Sequence, residues 1–272
     1  MHRRRPASTR PAVPCVAVCL AACLAVLSLP GAASALPSVR FKVLPLPIPG
    51  FSHTGYIAGA GADLQTEYEI TGSEYFGSPP PVIGINFYLP NGSTLHPSGF
   101  PTCALEVIRL KGPSGCPKGS RAGPTGTVLG YVSFGGERVE ESVELFSFFG
   151  PGNTLVFLGD GHSPVSLEVF STGRYIYLNG AGGFGIETAV TVPLVASVPG
   201  APYASVKTIT GRFGAAIAGK GEHGTPLYYG RVPSSCPKAG FPVKTEVIFA
   251  ENGELSRPET VTKTYTAPCP RK

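Results

Sequence analysis

The sequence contains no tryptophan, a single methionine and only two aspartates, Asp63 and Asp160. Aspartate is a frequent ligand of calcium and the usual partner of a catalytic histidine, so its scarcity leaves little material for a metal site or a serine triad. Neither a G-x-S-x-G nucleophile elbow nor a C-x-x-C metal-binding pair occurs. We therefore predict no catalytic residue, no metal site and no cofactor, and we interpret the protein as a non-enzyme.

The one place where Asp, His and Ser crowd together is GDGHS at residues 159–163. Consecutive residues of a turn do not form a triad, because the histidine must lie between nucleophile and carboxylate in space. The segment is predicted to be a glycine-rich connection between two strands. A secreted hydrolase that uses His162 is the least favoured of the functions considered for this sequence.

Long stretches free of glycine and proline are also missing. After residue 35 the longest one spans residues 137–149, so helices of ordinary length have little room, whereas strands of five to eight residues fit. Turn signals recur every 8–12 residues, which is typical of an antiparallel β-sandwich, with an Ig-like arrangement as one option. The predicted strands are residues 63–71, 82–89, 105–110, 127–134, 143–149, 155–158, 166–170, 175–178, 188–192, 205–213, 227–232, 243–249 and 259–266.

Two segments of this β-region are less regular. Residues 44–49 (LPLPIP) predict an extended polyproline-like lead-in, and residues 137–146 also suit a short helix because Val139, Val143 and Phe146 share a helical stripe. The length permits one large sandwich or two packed ones, with a possible internal seam near residues 193–202. We expect a single all-β region over residues 36–272.

The first 35 residues predict a secretory signal peptide. Arginines precede an apolar run over residues 13–29, and Ala33-Ser34-Ala35 supplies a small-residue cleavage signature. We therefore expect a secreted, extracellular protein. In the alternative, Leu20-Ala21-Ala22-Cys23 is a lipoprotein box, and the protein contacts the membrane only through a lipid on Cys23.

Net charge gives no sign of a nucleic-acid partner. The chain carries a formal +5, but Arg3, Arg4, Arg5 and Arg10 precede residue 36 and no acidic residue does, so the remainder is close to neutral. No basic run follows. We predict no nucleic-acid binding.

Four of the seven cysteines lie beyond the predicted leader: Cys103, Cys116, Cys236 and Cys269. An even number in an exported chain predicts disulfides, and three pairings are possible. Spacing along the chain favours Cys103 with Cys116 and Cys236 with Cys269. A zinc site is the rival interpretation, but the cysteine spacing does not fit it.

Two groups of side chains are candidates for surface functions. Glu137, Glu140, Glu141 and Glu144 form the densest acidic cluster, which we interpret as a solvated strand edge that discourages edge pairing. Sugar binding usually requires aromatic platforms, and the predicted glycan contacts are tyrosines, two on one strand face and two adjacent in sequence. These are Tyr175, Tyr177, Tyr228 and Tyr229.

Several motifs resemble a known group of proteins. The segments HPSGFPTC (96–103), GPSGCPKGS (112–120), SSCPKAGFPVKTEVIFA (234–250) and YTAPCP (265–270) are similar to uncharacterised secreted β-rich proteins of actinobacteria. The resemblance implies export and a β-rich fold, and it carries no catalytic residues. We therefore predict a non-catalytic extracellular protein with a structural, adhesive or surface-interaction role, its partner a cell-surface protein or glycan. The alternative is a module that binds carbohydrate or cell wall.

Overall fold

The computed structural model describes residues 37–51 and 58–269. It contains one α-helix, α1 (Leu105–Lys111), and fifteen strands in this described part. The strands are β1 (Ser38–Leu46), β2 (Asp63–Thr71), β3 (Val82–Pro90), β4 (Thr94–Leu95), β5 (Gly126–Phe134), β6 (Glu137–Gly150), β7 (Thr154–Gly161), β8 (Leu167–Tyr177), β9 (Phe184–Thr191), β10 (Ser205–Phe213), β11 (Ala216–Ile217), β12 (Leu227–Tyr228), β13 (Gly230–Arg231), β14 (Phe241–Ala250) and β15 (Pro258–Ala267).

Eleven strands form one antiparallel sheet in the order β1-β2-β10-β5-β6-β7-β8-β9-β3-β14-β15. The sheet curls until its two edge strands, β1 and β15, lie side by side. Val39 of β1 and Val261 of β15 belong to one buried cluster, and the Phe41 and Tyr265 rings meet edge-on with centroids 6.5 Å apart. The sheet is therefore nearly barrel-shaped.

The predicted all-β antiparallel class is confirmed, whereas a sandwich is not. The strands continue one hydrogen-bonded sheet instead of separating into two facing sheets. Irregular pairing between Val206 and Thr208, and again between Ile248 and Phe249, adds local bends of the kind that curl a sheet. Residues 193–202 join β9 to β10 of this same sheet, and Leu36–Lys272 forms one compact unit.

The two ends of the curled sheet differ in their connections. At one end, the long-loop end, lie residues 47–62, 91–125 and 214–240, together with the small pairs β11–β12 and β13–β4. At the other, the short-loop end, lie the connections 72–81, 135–136, 162–166, 192–204 and 251–257.

Residues 105–110 were predicted as a strand, and this prediction is wrong, because α1 occupies them. Glu106 in the first turn and Arg109 in the last turn suit the helix dipole, and Gly112, at φ 64°, ends the helix with its N–H donated to the Ile108 carbonyl. Ile108 packs against the outer face of the sheet, on the side chains of Phe148, Val156 and Leu158. Packing of this one buried residue of α1 against the sheet decides over β-propensity here.

The proline-rich start of the β-region is also different from its prediction. Residues 44–46 belong to β1, which pairs with β2 through Pro45 and Leu46. Because β1 has a hydrogen-bonded neighbour on one side only, a residue without an N–H is tolerated there. The segment 137–146 is strand, not helix, and it forms the first ten residues of β6.

Both predicted disulfides are confirmed. Cys103 pairs with Cys116 at a Cα–Cα distance of 5.3 Å, and Cys236 pairs with Cys269 at 5.8 Å. Two such bridges suggest an oxidising, extracellular environment. The predicted signal peptide and Cys23 lie outside the described residues. Among the residues that are described, no helix combines the length and apolar character needed to cross a membrane.

Candidate ligand cavity

The inner face of the curled sheet lines a partly open cavity of about 300 Å³. Strand side chains alternate between the two faces, so every second residue of the long strands points inward. Most of the inward residues are apolar, and they come from neighbouring strands all around the wall. Examples are Val43, Leu64, Ile85, Phe87, Val128, Val143, Leu145, Leu155, Phe157, Val169, Val190, Ile209 and Val243.

Two glycines leave part of the inner wall without side chains. Gly159 of β7 and Gly173 of β8 take inward positions of the alternation, between larger residues. A Cβ at Gly159 would lie 3.1 Å from the Val143 side chain, and one at Gly173 would lie 3.2 Å from Val190. Glycine there lets the wall curve closely while the neighbouring side chains fill the inner surface.

Two of the predicted glycan contacts meet at the long-loop end of this cavity. Tyr175 and Tyr229 both line it, with ring centroids 6.2 Å apart. Burial raises the pKa of Tyr175 well above its ordinary value, and burial also raises the pKa of Tyr229 to about 12. Both phenols are consequently neutral hydrogen-bonding groups at neutral pH.

The ring of Tyr229 is already occupied by protein aromatics. It stacks on Phe149 with centroids 3.9 Å apart, and Phe100 meets both rings edge-on. Only 5% of Tyr229 is exposed. A sugar would have to enter the cavity to touch it.

The other two tyrosines lie apart from the cavity. Tyr177 is 52% exposed near the end of β8. Tyr228 donates its hydroxyl to the Phe51 carbonyl at 3.4 Å and carries the Arg231 guanidinium over its ring at 5.0 Å. The four tyrosines therefore do not form one flat platform for a polysaccharide, and the predicted glycan contact stays a prediction.

A carboxylate lines the short-loop end of the cavity. Glu141 of β6 is 1% exposed, although it belongs to the cluster that was interpreted as solvated. Its Oε1 accepts the Ser163 N–H at 3.2 Å, and its Oε2 accepts the Val165 N–H at 3.1 Å. Both donors belong to the connection between β7 and β8, so Glu141 fixes that loop against the wall.

The interpretation of the acidic cluster as a solvated strand edge holds for part of it. Residues 137–142 of β6 pair with β5 only, because the ladder to β7 begins at Val143, and Glu137, Glu140 and Glu144 are exposed. The glutamates of β6 divide by the strand period: Glu140 and Glu144 face out, and Glu140 pairs with Lys207, whereas Glu141 faces in with Val143 and Leu145. The sequence already indicated this burial, because strand alternation places Glu141 on the same side of the strand as Val143 and Leu145.

Most of the remaining polar residues at the cavity carry hydroxyls. They are Thr66, Ser93, Thr94, Ser171, Thr188 and Ser205, together with Tyr68 and Tyr131, and Arg231 contributes a cation at the long-loop end. The Arg231 guanidinium donates to the Gly59 carbonyl at 3.4 Å in addition to its contact with Tyr228. The cavity is thus a largely apolar chamber with an arginine at the long-loop end, a carboxylate at the short-loop end and neutral hydroxyls around its wall.

The GDGHS segment gives no catalytic arrangement among the described residues. Gly159–Gly161 ends β7, His162 Nε2 lies 3.4 Å from Asp160 Oδ1, and the histidine side chain is 71% exposed. Within residues 37–51 and 58–269, no three His, Cys, Asp or Glu side chains come together to hold a metal.

Comparison with known proteins adds no relative to this description. No family model, no curated protein and no solved structure matches the chain. The resemblance to secreted proteins of actinobacteria accordingly stays a prediction.

Proposed function

We propose that this protein is a non-catalytic, exported binding protein that holds a small, largely apolar molecule inside its curled sheet. The observation that supports it is the chamber of about 300 Å³, walled by inward aliphatic and aromatic residues of the strands. Pockets that take small molecules are concave and mostly apolar, with a few polar groups that fix orientation. Closed sheets of comparable design hold one small ligand in the same place.

The energetic argument favours a ligand over water. An apolar cavity offers water few hydrogen-bond partners, whereas an apolar ligand gains about 25 cal/mol for every Å² it removes from water. The hydroxyls of Tyr175 and Tyr229 supply orientation at one end. Walls with this composition suit a hydrophobic molecule better than a sugar, which needs many hydrogen bonds.

Export is part of the proposal. Both disulfides suit an oxidising compartment, and the predicted leader over residues 1–35 would send the chain there. A lipid on Cys23 remains the alternative that would keep the protein at the cell surface. The structural or adhesive role predicted from the sequence concerns the outer surface, and it is compatible with a ligand inside.

The test blocks the chamber from within. Val169→Phe adds a ring to the inner face of β8, and the matched control Thr172→Phe adds the same ring to the outer face of that strand. We expect the neutral dye diphenylhexatriene to bind the wild type and Thr172→Phe saturably, with fluorescence enhancement, and Val169→Phe at least about tenfold more weakly. Equal binding by the two variants, or no saturable binding by the wild type, would overturn the proposal.

A further inference from the structure

We propose that the cavity selects molecules that combine an apolar body with a protonated amine, and that Glu141 is the counter-ion of that amine. This inference rests on the proposed function, because it names the chemical class of the ligand. The observation behind it is a carboxylate that is almost completely buried and still lines the cavity.

Glu141 has no cationic partner in the part of the chain that the structure describes. The ion pairs found there involve other acids, such as Glu140 with Lys207 and Asp63 with Arg212. Removing an ionised carboxylate from water is costly, and proteins normally offset the cost with an opposite charge. In Glu141 the offset comes from two backbone N–H groups alone.

Those two hydrogen bonds leave acceptor capacity unused. An ionised carboxylate accepts about four hydrogen bonds, two on each oxygen. Ser163 and Val165 use one position on each oxygen of Glu141. The remaining lone pairs belong to a side chain on the cavity wall, and the proposal places the donor of a bound molecule there. An ammonium group supplies three donors together with the missing positive charge.

The carboxylate is also held in place. A Cβ at Gly161 would lie 2.8 Å from Glu141 Oε1, so the end of the neighbouring strand β7 lies close against this carboxylate. With both oxygens bonded to one loop, the side chain has no freedom to swing out to solvent. The carboxylate is therefore already in place before an amine binds. Such preorganisation lowers the entropic cost of binding and favours a selective site.

The rest of the chamber fixes the orientation of such a ligand. Glu141 lies at the short-loop end, and the cation of Arg231 lies at the long-loop end. Aliphatic residues such as Val143 and Val169 line the wall between the two ends. An amine with an apolar tail would place its ammonium at Glu141 and its tail along these residues.

The test compares three probes of equal chain length: octylamine, octanol and octanoate. Each displaces diphenylhexatriene from the wild type, from Glu141→Gln and from the matched control Glu144→Gln, whose side chain is exposed on the outer face of the same strand. We expect the wild type and Glu144→Gln to bind octylamine at least about tenfold more tightly than octanol, and octanoate most weakly. In Glu141→Gln the preference for the amine should disappear, while octanol still binds.

The outcomes separate the two proposals. If all three probes displace the dye from the wild type with equal affinity, or octanoate does so best, the amine proposal fails and the binding function stands. If the dye does not bind the wild type at all, the binding function itself fails. Should Glu141→Gln not fold, the order of the three probes on the wild type alone decides the amine proposal.

Discussion

The Tyr229 ring stacks on Phe149 with centroids 3.9 Å apart and planes inclined by 17°. This contact joins the long connection after β10 to the end of β6, and it forms part of the cavity wall. Tyr229 was singled out as a surface platform for sugars, yet its ring lies against a buried phenylalanine. The stack belongs to a packed cluster of aromatic rings at the long-loop end.

The first prediction concerns alkaline pH. Burial raises the pKa of Tyr229 to about 12, so between pH 10 and 12 the folded protein keeps a proton that the unfolded chain has lost. The free energy of unfolding should therefore fall as the pH rises through this window, by on the order of 2 kcal/mol from Tyr229. In Tyr229→Phe the free energy of unfolding, measured by urea titration at pH 8, 10 and 12, should fall less steeply with pH than in the wild type. Tyr203→Phe, in the connection between β9 and β10 at the short-loop end, is the control and should follow the wild type.

The second prediction concerns the ion pair at the start of β2. Asp63 is 1% exposed, and its carboxylate bonds the Arg212 guanidinium of β10. Burial raises the pKa of Asp63, and Arg212 opposes that rise. Arg212→Met leaves the carboxylate buried and unpaired, so it should destabilise the fold by about 3–5 kcal/mol near neutral pH.

The loss should narrow as the pH falls, because a protonated Asp63 needs no cation. Asp63→Asn combined with Arg212→Met should recover part of the stability. Chemical unfolding at pH 4 and pH 7 measures both effects, and a pH-independent loss would contradict the assignment. Lys42→Met, which removes the exposed cation near Glu67, is the matched control and should change little.

The third prediction compares the disulfides. Cys103→Ala with Cys116→Ala removes the bridge beside α1, and Cys236→Ala with Cys269→Ala removes the bridge beside β14 and β15. Each loss should lower the free energy of unfolding by about 2–4 kcal/mol. Loss of the second bridge should lower the free energy of unfolding by up to about 1 kcal/mol more than loss of the first. The reason is that its cysteines lie 33 residues apart in sequence, against 13 for the first. Urea titrations of the two double variants measure the difference, and an unchanged midpoint in both would contradict it.

The fourth prediction uses the absence of tryptophan. Phe157 is 8% exposed and lines the cavity, so Phe157→Trp places a single reporter in the wall. Its emission should lie to the blue of free tryptophan and change on addition of octylamine. Tyr177→Trp, at a half-exposed site on the neighbouring strand β8, should emit to the red and respond little. A red, unresponsive signal from Phe157→Trp would mean that the chamber is filled with water.

Much of the strand content was readable from the sequence, because glycine and proline mark where strands stop. The predicted ranges 63–71 and 205–213 match β2 and β10 residue for residue. The errors arose where local patterns conflict with packing. Proline within residues 44–49 obscured an edge strand, and the apolar content of residues 105–110 obscured a helix that covers the outer face of the sheet.

The curled single sheet and its chamber were not readable. Pairing β10 with both β2 and β5 is a long-range choice that no local pattern encodes, and it decides whether strands form one sheet or two. Among site residues, Tyr175 and Tyr229 line the cavity, and their contact with a glycan stays a prediction. Glu141 was grouped with its neighbours by charge, although its position in the strand alternation already separated it from them.

The contact between β1 and β15 has a consequence for how the wall moves. Elsewhere around the sheet, adjacent strands share ladders of backbone hydrogen bonds, but these two meet through side chains such as Phe41 and Tyr265. Separating β1 from β15 breaks van der Waals contacts but no ladder of backbone hydrogen bonds. Local opening of the sheet should therefore cost the least free energy along this line. Deuterium should enter the amides along the facing edges of β1 and β15 before it reaches those of β6 and β7.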